Sequence, residues 1–298
     1  MENIKEISTT YEEIINNIDK YIELFLSDGI LAFRELNATE QQQRTILACF
    51  GDKLGWYPNK KYPKTHRYFE KHDNALTVYS NRGKDELIVL WHLEHCSVKH
   101  PQCGAAWNML KFDCDPSTGT TGFISAAEIY EDMPEEWKIF LEKCVIRDHM
   151  HGKDAEDFEE TGRFKSLDGY TYTSSPRNAV MKHPNRDLKI CRINPIQVPA
   201  DLISVDGEKP TNDDLDLFDQ IWSYYRGEIW NNDDRAIWWS WRKGDLLIPD
   251  LRIMIHAVRG GFNYSERQFV GYWAYPNDAH ESFADLRLQP EERNYILI

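Results

Sequence analysis

Short apolar and aromatic stretches, bounded by turn-forming residues, dominate the chain after residue 86. Each has the length and composition of a β-strand. The pattern predicts an antiparallel β-core, either a jelly roll or a barrel, because it is too interrupted for repeated βαβ units. The predicted strands cover residues 87–93, 105–112, 189–193, 245–248 and 269–275.

Helices are predicted at the N-terminus and in two later segments. Between residues 8 and 28, apolar side chains recur with the 3.6-residue period of an amphipathic helix. Thr10 with Glu13 is a candidate capping box, and Gly29 is suited to end the helix in a left-handed conformation. The other predicted helices cover 40–54, 125–144 with a break at Pro134, and 212 to about 225.

One domain spanning residues 1–298 is expected, because neither a repeat nor a Pro/Gly/Ser-rich linker divides the chain. The predicted fold class is mainly β with flanking helices. The helical N-terminus covers 8–54, and a helical and loop insertion covers about 115–176. Two long polar stretches without a period, 57–85 and 150–176, are candidate loops for closing over a site.

Composition excludes several classes of function. The chain has 41% apolar and 13% aromatic residues, which excludes a disordered protein. Its 49 acidic and 35 basic side chains give a net charge of −14, which repels the phosphates of nucleic acids. The longest apolar run, 87–91, is too short to cross a membrane, and no secretion signal precedes it. We therefore expect a cytoplasmic protein with reduced cysteines and with neither nucleic acid nor membrane as a partner, in an oligomeric state that the sequence leaves open.

A candidate metal site begins with His92 and Glu94, which lie two residues apart at the end of a predicted strand. The alternation of side chains along a strand directs both to one face, where an imidazole and a carboxylate can share a metal. Together with the distant His256 they would form the two-histidine, one-carboxylate set that leaves three positions open on iron. Arg267, on the strand that follows a Gly260–Gly261 turn, would supply a fixed cation for a carboxylate.

The order of these motifs resembles the TauD/TfdA-like family of Fe(II)/2-oxoglutarate dioxygenases. The resemblance extends over most of the chain, from the opening helix through Trp-His-x-Glu at 91–94 and the Gly-rich turn at 116–121. It continues with the His183–Pro184 pair and ends with Gly-Asp-x4-Asp-x5-His-x10-Arg at 244–267. It implies a double-stranded β-helix core, the jelly roll, with Fe(II) as the metal and 2-oxoglutarate and dioxygen as co-substrates.

The resemblance also implies roles for individual residues. Arg267 falls where the family has the arginine that pairs with the distal carboxylate of 2-oxoglutarate. Thr120 and Thr121 lie just before Gly122, which aligns with a co-substrate-binding threonine of the family, so both are candidate co-substrate contacts. No catalytic residue is assigned beyond the metal centre. The implied iron ligands are His92, Glu94 and His256.

Departures from the taurine-type members bear on the reaction and the substrate. Glu94 replaces their aspartate, as in the clavaminate-synthase-like and amino-acid-hydroxylating relatives, which favours hydroxylation of an amino acid or its derivative. Gly271 stands where taurine-type members carry a second arginine for the substrate anion, which argues against a sulfonate. Proximity to His256 and Arg267 makes three residues candidate substrate contacts: Arg259, Tyr272 and Trp273.

Three alternatives stay open from the sequence. A desaturase or cyclase of the same family would begin from the same metal centre. A zinc hydrolase could use the same three ligands, since two histidines and a glutamate also suit catalytic zinc. A non-catalytic jelly roll could keep the fold and bind a ligand or a partner.

Overall fold

The structure is a computed structural model that describes residues 4–57, 67–69, 83–94, 102–147, 164–165, 171–172, 176–195 and 200–276. The candidate closing loops, 57–85 and 150–176, lie largely outside these residues. No helix among the described residues is long and apolar enough to span a membrane. The helices are α1 (Tyr11–Asn16), α2 (Ile18–Asp28), α3 (Glu40–Leu54), α4 (Ala126–Glu131), α5 (Glu135–Leu141) and α6 (Asn212–Trp230).

Short strands make up the rest of the regular structure. Those of the first half are β1 (Glu6–Ile7), β2 (Ile30–Phe33), β3 (Trp56–Tyr57), β4 (Arg67–Phe69), β5 (Leu87–His92), β6 (Gly104–Phe112), β7 (Thr121–Ser125) and β8 (Cys144–Arg147). Those of the second half are β9 (Phe164–Lys165), β10 (Thr171–Tyr172), β11 (Arg177–Asn178), β12 (Val180–Lys182), β13 (Lys189–Cys191), β14 (Asp201–Val205), β15 (Ile237–Trp239), β16 (Leu246–Pro249), β17 (Met254–Arg259) and β18 (Arg267–Pro276).

Two sheets face each other across the main core. The larger has the order β1-β2-β16-β6-β18-β3, with β4 also paired to β18, and the smaller has the order β15-β7-β17-β5. Ring contacts from Trp107 on β6 to Phe123 on β7 and His256 on β17 join the facing sides. These largely antiparallel sheets form the predicted jelly-roll core, which confirms the mainly β fold class.

The N-terminal helices cover the other side of the larger sheet. Phe25 of α2 and Phe50 of α3 pack edge to face against each other and, with Trp56, fill a second apolar cluster. Alternation along β6 divides the two clusters: Trp107 belongs to the core between the sheets, whereas Ala106 packs toward the helices. The larger sheet is therefore buried on both sides, and its inner side is available for a site.

Most predicted elements are confirmed, with three differences. α3 begins and ends where the sequence predicts, with a complete capping box formed by Thr39 and Gln42. The predicted helix at 8–28 is divided at Asn17, whose side-chain amide donates to the carbonyl oxygen of Glu13. α6 extends five residues past its predicted end, since apolar packing continues to its last turn. The predicted insertion at 115–176 contains β7, which is a central strand of the smaller sheet.

Candidate metal centre

Neighbouring strands bring the two histidines of the candidate site together. His92 ends β5, His256 lies on β17, and the two are direct cross-strand partners. Directly opposite residues on paired strands project to the same face, and the two rings accordingly lie 4.2 Å apart between centroids. Glu94, two residues past His92, is 5% exposed and reaches the same place.

The three side chains converge closely enough to hold one metal ion. The Oε2 atom of Glu94 lies 3.6 Å from Nε2 of His92 and 3.4 Å from Nε2 of His256. One ligand atom from each of the three residues lies within 4.8 Å of the other two. Two imidazoles and one carboxylate form a donor set that suits iron, manganese or zinc.

Backbone carbonyl groups orient both imidazole rings. Nδ1 of His92 lies 2.7 Å from the carbonyl oxygen of Leu90, and Nδ1 of His256 lies 3.4 Å from that of Met254. Because a carbonyl oxygen only accepts, each Nδ1 carries the proton and each Nε2 can present its lone pair to a metal. The buried Nε2 of His92 makes no hydrogen bond to any residue that the structure describes, as expected of a metal-binding atom.

Burial and the Glu94 charge separate the pKa values of the two imidazoles. Burial alone would lower the pKa of His92, but the adjacent Glu94 carboxylate and the Leu90 carbonyl more than offset it, so the pKa is raised. The pKa of His256 is lowered, first by burial and then by the charge of His92. The His256 imidazole is therefore neutral near neutral pH, with the Glu94 carboxyl group 3.4 Å away, and a neutral imidazole can bind a divalent cation.

Aromatic side chains from both sheets pack beside His256. The ring of Trp107 lies 5.2 Å from that of His256, 6.0 Å from Phe123 and 6.1 Å from Phe269, between centroids. Trp107 is buried, as are Phe123 and Phe269. These rings shield His256 from bulk water, which strengthens electrostatic interactions at that imidazole.

Arg267 begins β18 and is buried between aromatic rings. Its guanidinium carbon lies 5.1 Å from the centroid of Phe262 and 5.8 Å from that of Phe269. A Cβ atom at Gly119 would lie 2.9 Å from the Phe262 ring and 3.4 Å from Cδ of Arg267, so the glycine allows the turn before β7 to approach closely. Packing on both sides thus restricts the arginine side chain.

The two threonines differ in their environment. The hydroxyl oxygen of Thr121 accepts a hydrogen bond of 2.8 Å from Nε1 of Trp241. The carbonyl oxygen of Thr120 accepts from the Arg259 amide at 2.9 Å, while its buried hydroxyl bonds to no residue in the described part of the chain. Gly122 is a direct cross-strand partner of Trp238. Both threonines remain predicted co-substrate contacts.

The three residues predicted to contact substrate are separated from one another. The guanidinium carbon of Arg259 lies 3.6 Å above the ring of Trp238. Trp238 pairs with Gly122, whereas the adjacent Phe123 pairs with His256, so strand alternation places Arg259 and Trp238 on the face of the smaller sheet away from the metal ligands.

Tyr272 and Trp273 lie on opposite faces of β18. Tyr272 belongs to the cluster beside the N-terminal helices, and its hydroxyl hydrogen-bonds to Glu40 of α3. Trp273 belongs to the core between the sheets, on the side of Trp107. Of the three predicted substrate contacts, only Trp273 is therefore brought to the side of the metal ligands.

Two residues of this region were not assigned a role from the sequence. Trp107 lies against His256, and Trp241 holds the Thr121 hydroxyl. Alternation within strand 105–112 could have indicated that Trp107 points inward, but no local pattern indicates which strand it faces. The partner of Trp241 is 120 residues away in the chain, so no sequence signal connects the two.

Comparison with known proteins shows the family of the chain. A family model described as "Taurine catabolism dioxygenase TauD, TfdA family" matches residues 8–273. A search of curated protein sequences gave no match.

Solved structures share the fold at low sequence identity. A taurine dioxygenase from Burkholderia xenovorans is 15% identical, with a TM-score of 0.56 over 88% of this chain and 82% of its own. The protein AAD-2, solved in complex with Mn(II) and N-oxalylglycine, is 16% identical, with a TM-score of 0.55 over 93% of this chain and 95% of its own. At these identities the similarity supports the jelly-roll fold alone.

Proposed function

The chain belongs to the TauD, TfdA family of Fe(II)- and 2-oxoglutarate-dependent dioxygenases, and from this premise we propose that it hydroxylates an amino acid or an amino-acid derivative. The observation that carries the proposal is the buried convergence of His92, Glu94 and His256. Bound iron and 2-oxoglutarate would supply the oxidising power, since reduction of dioxygen and decarboxylation of the keto acid to succinate accompany oxidation of a substrate C–H bond.

The three converging residues fit the metal that the family uses. Both histidine Nδ1 atoms contact backbone carbonyls, so their Nε2 atoms are the metal-binding ones. The Glu94 carboxylate lies against both and would neutralise part of the charge of a divalent ion. Three protein donors leave positions on the metal for a chelating keto acid and dioxygen. We therefore propose His92, Glu94 and His256 as the iron ligands.

Arg267 is proposed to bind the distal carboxylate of 2-oxoglutarate. Its side chain is buried and held between Phe262 and Phe269, so the guanidinium is already ordered before a carboxylate arrives. A charge-assisted pair in such surroundings is strong because little water competes for it. The hydroxyl of Thr121 is proposed as a further donor to the co-substrate, because alternation along β7 places it on the side of the metal ligands. Thr120 lies opposite Arg259 and stays a prediction from the sequence.

An amino-acid substrate is favoured over a sulfonate by the surroundings of Gly271. A Cβ atom at this position would lie 2.9 Å from Cη2 of Trp273 and 3.1 Å from Cδ1 of Trp107. Indole rings therefore occupy the space over Gly271 where a cationic side chain would be needed to hold a sulfonate. Glu94 as the carboxylate ligand and the net charge of −14 are compatible with a neutral or cationic small molecule.

The proposed setting is the cytoplasm, with neither nucleic acid nor membrane as a partner. The five cysteines in the described residues are free thiols, as is usual in a reducing compartment. The strongly negative net charge disfavours binding to phosphate backbones.

The test is an anaerobic titration of the metal-free protein with Fe(II) and then 2-oxoglutarate, followed in the visible spectrum. We expect a weak charge-transfer band from chelated 2-oxoglutarate, and a shift of that band when the correct amino acid is added. Exposure to oxygen should then yield succinate and a product with one added oxygen atom. A product that has instead lost two hydrogen atoms would replace hydroxylation by desaturation or cyclisation.

Two arginine variants provide the matched control. Arg267→Ala should weaken 2-oxoglutarate binding at least tenfold because a buried charge-assisted pair is lost. Arg259→Ala, which removes a cation on the opposite face of the smaller sheet, should leave that affinity unchanged. Absence of the band in protein with verified bound iron would contradict the proposed function.

A further inference from the structure

A buried hydrogen bond connects Trp241, two residues past the end of β15, to Thr121, the first residue of β7. The indole Nε1 of Trp241 donates to the Thr121 hydroxyl at 2.8 Å, and both residues are almost completely buried. Neither partner can exchange this bond for water without opening the core. The interaction therefore fixes the Thr121 side chain more firmly than an exposed hydrogen bond would.

This hydrogen bond makes the Thr121 hydroxyl a donor toward any other partner. An indole N–H can only donate, so the hydroxyl oxygen must accept from Trp241. The hydroxyl proton then points away from Trp241 and remains available to an acceptor. Thr121 lies on the same face of β7 as Phe123, the direct partner of His256, so that acceptor would lie on the side of the metal ligands.

Trp241 also connects this hydroxyl to the candidate anion-binding arginine. Its ring packs edge to face on Phe269, at 6.3 Å between centroids, and Phe269 lies 5.8 Å from the Arg267 guanidinium carbon. Phe269 in turn contacts Trp107, which packs against His256. One continuous aromatic wall thus supports the hydroxyl, the guanidinium and a metal ligand.

We propose that Trp241 is a positioning residue for the distal carboxylate of 2-oxoglutarate. Its N–H aims the Thr121 hydroxyl proton at the carboxylate that Arg267 binds, and its ring supports Arg267 through Phe269. The inference rests on the proposed function. It adds that the co-substrate site depends on a residue that would not itself contact the ligand.

The experiment is a double-mutant cycle on 2-oxoglutarate affinity in the anaerobic Fe(II) protein. Trp241→Phe keeps an aromatic ring and deletes the N–H, while Thr121→Val deletes the hydroxyl. We expect each variant to weaken 2-oxoglutarate binding about three- to tenfold, and the double variant to be no weaker than the single ones. Oxalate chelates iron but lacks a distal carboxylate, so its affinity should stay unchanged in all three proteins.

Controls separate this positioning role from a structural one. Trp239→Phe removes a buried indole N–H that bonds to no described residue, and it should leave the affinity for 2-oxoglutarate unchanged. If Trp241→Phe does not fold, 3-benzothienylalanine at position 241 makes the same deletion with an isosteric ring.

Three outcomes would overturn the inference: unchanged 2-oxoglutarate affinity in Trp241→Phe, multiplicative losses in the double variant, or an equal loss for oxalate. Failure of the proposed function itself would look different. In that case the unmodified protein with bound iron would give no 2-oxoglutarate band at all.

Discussion

The absence of a side chain at position 122 lets two tryptophan rings close over one face of the smaller sheet. A Cβ atom there would lie 2.5 Å from Cη2 of Trp91 and 2.8 Å from Cζ3 of Trp238. The centroids of the two rings lie 5.3 Å apart. Trp238 belongs to β15 and Trp91 to β5, the two outer strands of the smaller sheet. No flexible side-chain end is available to move aside.

Gly122→Ala should therefore destabilise the protein by about 1–3 kcal/mol through overpacking. Urea unfolding of the variant and the parent protein measures this difference. A change within experimental error would show that the tryptophan rings relax without cost.

A second residue-scale feature is the buried group formed by His183, Asp250 and Arg252. Nε2 of His183 donates to Asp250 at 2.8 Å, and Arg252 donates twice to the same carboxylate at 3.0 Å. Burial lowers the pKa of His183, with Arg252 and Arg186 adding to the effect against the opposing pull of Asp250. Burial would raise the pKa of Asp250, but Arg252 and His183 outweigh it and lower the pKa to about 2.

Acid should weaken the fold in two stages. Because folded His183 binds a proton less readily than unfolded His183, the unfolded state takes up more protons as the pH falls below 6.5, and stability decreases. Asp250 adds a further loss of stability as the pH falls from 3.8, the ordinary pKa of an aspartate, toward its folded-state pKa of about 2. Denaturant unfolding at a series of pH values should show a smaller loss between about pH 7 and 5 in His183→Gln than in the parent protein. Identical slopes would exclude His183 as the source.

At the scale of elements, helix α6 contains a glycine that packing does not require. A Cβ atom at Gly227 would meet nothing within 4 Å, and its backbone is helical. Glycine in a helix costs conformational entropy and is about 0.8–1.0 kcal/mol less favourable than alanine. The buried face of the helix, which includes Phe218 and Ile221, is unaffected by this position.

Gly227→Ala should consequently stabilise the protein by about 0.5–1 kcal/mol. The same unfolding experiment that detects the Gly122→Ala loss should detect this gain, so the two glycines serve as controls for each other. Destabilisation of Gly227→Ala would contradict the open environment of α6.

Across the whole molecule, the proposed metal site joins segments that are far apart in the chain. Its donors come from the end of β5 and from β17, two strands that pair in the smaller sheet. Because the ligand set exists only when this pairing has formed, metal should bind the folded protein in preference to the unfolded chain.

A redox-stable metal should therefore stabilise the fold. Mn(II) at about a hundred times its dissociation constant should raise the free energy of unfolding by about 2.7 kcal/mol. Thermal unfolding with and without Mn(II) measures the shift. His256→Ala should abolish the shift, and Arg259→Ala should retain it. Equal shifts in both variants would place the metal elsewhere.

How much could be predicted from the sequence depended on whether a signal was local. Helix α3 carries its own capping box, and His92 and Glu94 carry their two-residue spacing, so both were predictable. β7 was not predicted because its first two residues, Thr121 and Gly122, resemble a turn until two neighbouring strands pair with them. Arg259 was grouped with Arg267 because it is near in sequence, yet strand alternation turns it away.

The number of residues in β5 before His92 determines which face of the sheet its side chains occupy. Between the pair His256 and His92 and the pair Arg259 and Leu87, β17 covers three residues and β5 covers five. Two register shifts account for the difference. Loss of one codon within 87–90 would send the preceding side chains to the wrong face of the sheet, whereas loss of two would restore the alternation. A library of in-frame deletions should accordingly yield folded protein more often from the double deletions than from the single ones.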